Sequence, residues 1–125
     1  MPRKIGYWVS TGLVVAMTLP SVMYLTGAPQ VVAGFTHLGY PQHLRIILGI
    51  AKLTGAVILI APGLRVLKEW AYAGFTFAWV IACVAHYLAG DGMSSAMPLV
   101  LLALLIVSYL TRPASRRLAP LPAAA

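Results

Sequence analysis

Four long apolar runs divide the chain, each bounded by prolines, glycines or charges. They extend from about Tyr7 to Thr26, Gln42 to Ala61, Leu67 to Ala89 and Ser95 to Thr111. None alternates with period two, and each approaches the roughly 20 residues a helix needs to cross a hydrocarbon core. In lipid only helices and closed barrels satisfy their own backbone polar groups. The pattern therefore predicts an all-α integral membrane protein, a four-transmembrane-helix bundle. Pro20 lies inside the first run and predicts a kink there. Arg3 and Lys4 precede that run as they would in a signal peptide. Its apolar core is long, however, and Leu25-Thr26-Gly27-Ala28 suits cleavage poorly, so it reads as a retained span.

Between the first two runs, Pro29 suits the first turn of a helix, and Val31, Val32, Phe35 and Leu38 recur at helical spacing before Gly39 and Pro41. A short extra helix from about Pro29 to Leu38 is expected there. Pro62-Gly63 makes a tight turn, so the second and third runs form an antiparallel hairpin. Residues 1–112 read as one membrane domain, and the Pro- and Ala-rich stretch 113–125 as a disordered tail.

Composition agrees. Of the 125 residues 61% are hydrophobic and 9% charged, and the mean hydropathy is +0.90, far more apolar than a soluble domain of this size. The net charge of +7 does not point to nucleic acid, because the basic residues flank the spans instead of sharing one face. Arg3, Lys4, Arg65, Lys68, Arg112, Arg116 and Arg117 all fall on one side of a four-pass chain. The other side has Arg45 alone. The positive-inside rule places both termini in the cytoplasm. The single cysteine, Cys83, excludes an internal disulfide, a CxxC redox pair and a cysteine zinc site.

Lys52 is the residue that composition does not explain. It lies near the centre of the second run, where a charge costs about 3 kcal/mol or more. It is tolerable if the ammonium faces a protein interior, meets a partner or gives up its proton. Folding the chain at Pro62-Gly63 sets Lys52 near the level of Trp79, Ala82 and Cys83, with Arg45 near His86. Arg45 and Lys52 are seven residues apart, so they share a helix face about 10 Å apart. Gly49 and Ala56 on that stripe would let a neighbouring helix approach. On the third run Tyr72, Thr76, Trp79, Cys83 and His86 form the face expected to turn inward. Asp91 is the one acid on its side and the expected partner of Arg45. Lys52, His86 and Asp91 are therefore the candidate catalytic groups. Arg45, Trp79, Tyr24, His37 and Tyr40 are the candidate ligand-binding ones, and Lys52, Arg45, His86 and Asp91 are expected to line one cavity open to the outer leaflet. Glu69 reads as a helix N-terminal acid. The three histidines make no i, i+4 pair, so no metal site is expected. A bis-histidine haem through His43 and His86 is disfavoured, because His43 falls at the helix start.

Residues 42–91 also carry a recognisable pattern. An LG-x-x-K-L-x-G element contains Gly49, Lys52 and Gly55. KEWAYAGF runs from Lys68 to Phe75, a closing H-x-x-x-G-D contains His86, Gly90 and Asp91, and HLGYP spans His37–Pro41. With these motifs the chain, from about Gly6 to Leu110, resembles the DoxX-like family of small bacterial four-span membrane proteins. The resemblance implies a four-helix bundle in the bacterial inner membrane. It implies a link to quinone oxidation or oxidant-resistance complexes, and so a lipid-soluble redox partner such as a quinone.

Three function classes follow. The first is a quinone- or lipophile-binding subunit of a membrane redox system, in which Lys52 hydrogen-bonds a carbonyl oxygen and His86 moves a proton. The second is a stand-alone membrane enzyme using the same residues as acid and base on a lipophilic substrate. The third is a non-catalytic assembly factor or scaffold. Partners are accordingly the lipid bilayer, a lipophilic small molecule and other membrane or redox proteins. The apolar fourth span is equally suited to face lipid or a second copy.

Overall fold

The computed structural model describes residues 2–118, and within them it is all-helical. The helices are α1 (Pro2–Thr18), α2 (Val22–Thr26), α3 (Pro29–His37), α4 (Gln42–Ile60), α5 (Arg65–Leu88) and α6 (Ala96–Leu110). Short 3₁₀ turns occupy Leu19–Ser21, Gly92–Ser95 and Ala114–Arg116. Four segments are long and apolar enough to cross a membrane: Pro2–Thr26, Gln42–Ile60, Arg65–Leu88 and Gly92–Leu110. They match the four runs in the sequence, and the first begins several residues before Tyr7.

Pro20 acts as its chemistry requires. It has no N–H to donate, and the first span tightens into the 3₁₀ turn Leu19–Ser21 between α1 and α2. The spans form a ring in which α1 packs on α4 and α6, and α5 packs on the same two helices. Val14, Leu59, Tyr72, Phe75, Trp79 and Leu105 fill the centre. A polar chain crosses the core beside them, with Thr11 Oγ1 2.6 Å from Ser108 Oγ and Tyr72 Oη 2.7 Å from the same Ser108 oxygen. Such hydrogen bonds tie helices together where lipid gives no hydrophobic drive for association. Large apolar side chains on the outside, among them Leu13, Ile47, Ile50, Phe77 and Ile81, are exposed, as lipid-facing residues should be.

The ends of the ring differ. At one, called here the basic end, lie the start of α1, the stretch that follows α6 and the α4–α5 turn. Gly63 (φ +68°) and Leu64 (φ +53°) are consecutive left-handed residues in that turn, and the Leu64 carbonyl accepts the Lys68 N–H at 2.8 Å. The Lys68 side chain is fully buried, and its Nζ donates to the carbonyls of Ile58, at 2.7 Å, and Ala61. Arg116 donates to Leu59 at 2.9 Å, Ile60 at 3.2 Å and Ala61 at 3.3 Å. Two cations thus satisfy the carbonyls that the end of α4 leaves without helical partners. The stretch from residue 113 is expected to be a disordered tail, and the structure places its part through Arg116 against the end of α4. That residue is held by α4 and stacks on Trp8 at 4.7 Å. Residues 119–125 of that tail lie outside the described residues. Glu69 also departs from expectation. It pairs with Arg112 at 2.5 Å and accepts from the Tyr109 hydroxyl at 3.0 Å, joining α5 to the end of α6.

Candidate functional site: a lysine cavity at the histidine end

The opposite end, the histidine end, is covered by α3. Its two flanking turns are built alike. After α3, the Gly39 N–H reaches the Thr36 carbonyl at 3.0 Å and the Tyr40 N–H reaches Phe35 at 2.9 Å, with Gly39 left-handed at φ +79°. This is a Schellman turn with glycine at C′. It folds Tyr40 back onto Phe35, whose rings lie 6.3 Å apart. After α5, Gly90 donates to Tyr87 at 3.1 Å and Asp91 to His86 at 3.0 Å, with Gly90 at φ +77°. The same geometry returns Asp91 over His86. The two sequence elements HLGYP and H-x-x-x-G-D thus encode the same turn.

The first turn builds a cavity. A space of about 210 Å³ is walled by Tyr24 of α2, Phe35 and Leu38 of the covering segment, Tyr40, Lys52 of α4 and Ala82 of α5. Lys52 Nζ lies 3.4 Å from the Tyr24 hydroxyl, to which it donates, and 4.9 Å from the Tyr24 ring centroid. The ring packs edge-on against Phe35 at 5.4 Å. An ammonium has three N–H donors. Among the described residues, the Tyr24 hydroxyl is the one side-chain or backbone acceptor Lys52 reaches. The cavity can therefore hold a molecule that offers an oxygen acceptor to Lys52 and apolar surface to its walls.

Tyr24 is positioned from behind. Arg45 donates to the Tyr24 carbonyl and, through Nε, to Gln42 Oε1 at 3.0 Å. It caps the last turn of α2, where a cation suits the helix dipole. Gly49 lets α2 approach α4: a Cβ there would stand 2.9 Å from Tyr24 Cβ and from Leu25 Cδ2. The close approach expected of Gly49 is thus made by the second half of the first span.

The second turn builds a different feature. Asp91 accepts from His37 Nε2 at 2.6 Å through one carboxylate oxygen and from His86 Nδ1 at 2.6 Å through the other. Both ring nitrogens carry their protons toward the acid, which fixes the tautomer of each neutral ring. The bonds from His86 and then His37 hold the Asp91 carboxyl below its ordinary range. The cluster sits at the surface, with 53% of the His37 side chain exposed and 31% of His86.

Several expectations change accordingly. Asp91 does not pair with Arg45, because both its oxygens are taken by histidines and Arg45 is taken by α2. His37, His86, Asp91 and Arg45 do not line the Lys52 cavity. Trp79 does not either: it is buried in the core, stacked 5.1 Å from Phe75. Lys52, Tyr24 and Tyr40 do come together, and Ala82, one of the residues the hairpin sets level with Lys52, lines the same cavity. Phe35 and Leu38 of the covering segment were read only as an amphipathic face. Their signal as cavity walls was their spacing to Tyr40 across the Gly39 turn. The described residues hold no cluster of three or more histidine, cysteine or acidic groups arranged for a metal.

The fold and this site define a small multi-pass membrane protein, four spans around an apolar core crossed by a polar chain, with a lysine cavity under a short covering helix. The sequence profile of the DoxX-like family matches residues 8–108. The chain belongs to the DoxX-like family. No curated protein and no solved structure matches it.

Proposed function

We propose that this protein is a quinone- or lipophile-binding subunit associated with a membrane redox system, and that its ligand offers a carbonyl oxygen to Lys52. One observation carries this reading. Lys52 stands in the middle of a span with a single long contact to Tyr24, beside an apolar cavity. A cation at that depth is costly unless an acceptor completes it. The family resemblance favours a quinone as that acceptor. A stand-alone acid–base enzyme is less well supported, because no carboxylate or histidine lines the cavity. Seven of the nine Lys and Arg residues lie at the basic end, so that end faces the cytoplasm of an inner-membrane protein.

The test is binding of menaquinone to detergent-solubilised protein, read by quenching of tryptophan fluorescence. Lys52→Met should weaken binding by about tenfold to a hundredfold, the worth of a hydrogen bond from a charged group. Equal affinity of the variant and the parent protein would end this reading.

A further inference from the structure

A second cavity begins where the first ends. It has a volume of about 370 Å³ and follows the groove between α4 and α5, from Leu48 to Ile58 on one helix and from Leu67 to Ala78 on the other. Leu48, Lys52 and Ala78 line both spaces. We infer that the molecule held at Lys52 is an amphiphile with an apolar tail, that the tail lies in this groove toward Trp70, and that it enters sideways from the bilayer. This rests on the reading of Lys52 given above and adds the shape and route of the ligand.

Three features support it. Lys52 is the one charged residue in the groove lining, so the rest of the occupant must be apolar. Small residues on both walls, Ala51 and Gly55 on α4 and Ala71, Gly74 and Ala78 on α5, leave the groove room, and a Cβ added at Gly74 would meet nothing within 4 Å. Its α5 wall covers the eleven residue steps from Ala78 to Leu67, about 16 Å along the helix axis, and includes near that end the exposed Trp70, a ring suited to the interfacial belt. Ordinary bilayer lipid can fill the groove but cannot complete Lys52. A phospholipid keeps its polar groups at the interface, and its chains carry no oxygen at this depth. The fitting occupant has a small head with an acceptor oxygen that can sink to mid-span, either a quinone carbonyl or a fatty-acid carboxylate.

The experiment compares three probes on the full chain in detergent, all read by tryptophan quenching or by displacement of a quenching probe. They are menadione, a menaquinone bearing an isoprenoid tail on the same ring, and palmitate as competitor. The parent protein should bind the tailed quinone at least about tenfold more tightly than menadione. Gly74→Leu, which fills open space and raises helix propensity, should remove that advantage while leaving menadione affinity unchanged. Ala51→Leu on the facing helix should do the same. If palmitate displaces menadione, and Gly74→Leu weakens that displacement, the groove is supported with a carboxylate head. Equal binding of tailed and tail-less quinone, or a tailed quinone indifferent to Gly74→Leu and Ala51→Leu, would overturn the groove alone. Failure of all three probes to bind the parent protein would overturn the Lys52 reading and the groove together.

Discussion

Two lysines within the spans, sixteen positions apart, have opposite surroundings. Lys68 is fully buried at the basic end, and its ammonium meets the Ile58 and Ala61 carbonyls. Lys52 is half-buried at mid-span, reaches among the described residues only the Tyr24 hydroxyl, at 3.4 Å, and opens onto two cavities. The protein completes one cation and leaves the other incomplete. A lysine whose donors are filled by helix-end carbonyls is part of the scaffold. One left with free donors at membrane depth is available to a ligand. Burial alone would have ranked them the other way, because the more buried lysine is the structural one.

The largest effect should come from breaking that contrast at its structural side. Lys68→Met removes the two charged hydrogen bonds that its ammonium gives to the Ile58 and Ala61 carbonyls. Each such bond is worth about 1.5–3 kcal/mol, so a loss of roughly 3 kcal/mol is expected, read as a lowered Tm by circular dichroism in detergent. Lys52→Met should not lower stability, because it removes a charge that is costly at mid-span, while weakening ligand binding by about tenfold to a hundredfold. If the two variants lose equal stability, the division between scaffold and site fails.

The next effect tests whether the lysine cavity depends on the helix behind it. Gly49→Leu places atoms where Tyr24 Cβ already stands, and Tyr24 is not a flexible side-chain tip that can swing away. Overpacking of this kind costs about 1–3 kcal/mol. It should displace Tyr24 and weaken binding although Lys52 is intact. Arg45→Met removes the cap on α2 at a cost of about 1 kcal/mol, with a smaller loss of affinity. Menaquinone titrations of both variants beside their thermal melts would check this ordering. Binding unaffected by Gly49→Leu would show that Tyr24 plays no part in it.

Much of this architecture was legible in the chain. The four runs gave spans, the Pro29–Leu38 spacing gave the covering helix, and Pro20 marked the break in the first span. The hairpin also placed Lys52 at the right level of α5. The direction of side chains on α5 was legible only in part. Tyr72 and Trp79 do turn inward, but toward the core instead of the lysine. In a membrane helix the lipid face is as apolar as the core face, so hydropathy cannot separate them. The pairing of Arg45 with Asp91 failed for another reason. Charge invites charge when a sequence is read, yet Arg45, Lys68 and Arg116 all end on backbone carbonyls. A free helix-end carbonyl carries no residue type, so the sequence does not display it as a partner.

The smallest effect concerns the other Schellman turn, where the two histidines close on Asp91. The hydrogen bonds they donate favour the ionised carboxylate and hold its folded-state pKa below the unfolded value of about 3.9. The sign follows directly. The unfolded chain takes up this proton first as pH falls, so the stabilisation is fully present above about pH 4 and is lost as pH drops through the lower folded value. Among the described residues, His37 on α3 and His86 on α5 are the titratable groups in contact with the carboxylate, and no lysine or arginine pairs with it. Asp91→Asn should therefore lower Tm modestly at neutral pH and flatten the acid limb of the Tm–pH curve. The tie from His37 to Asp91 joins α3 to the α5–α6 turn, and α3 supplies Phe35 to the cavity. Loosening it should speed release of bound menaquinone more than it slows association. If the acid limbs of the parent protein and Asp91→Asn superimpose, the cluster is a surface contact with no hold on the covering helix. In that case Tyr24 and Phe35 would keep the cavity closed without it.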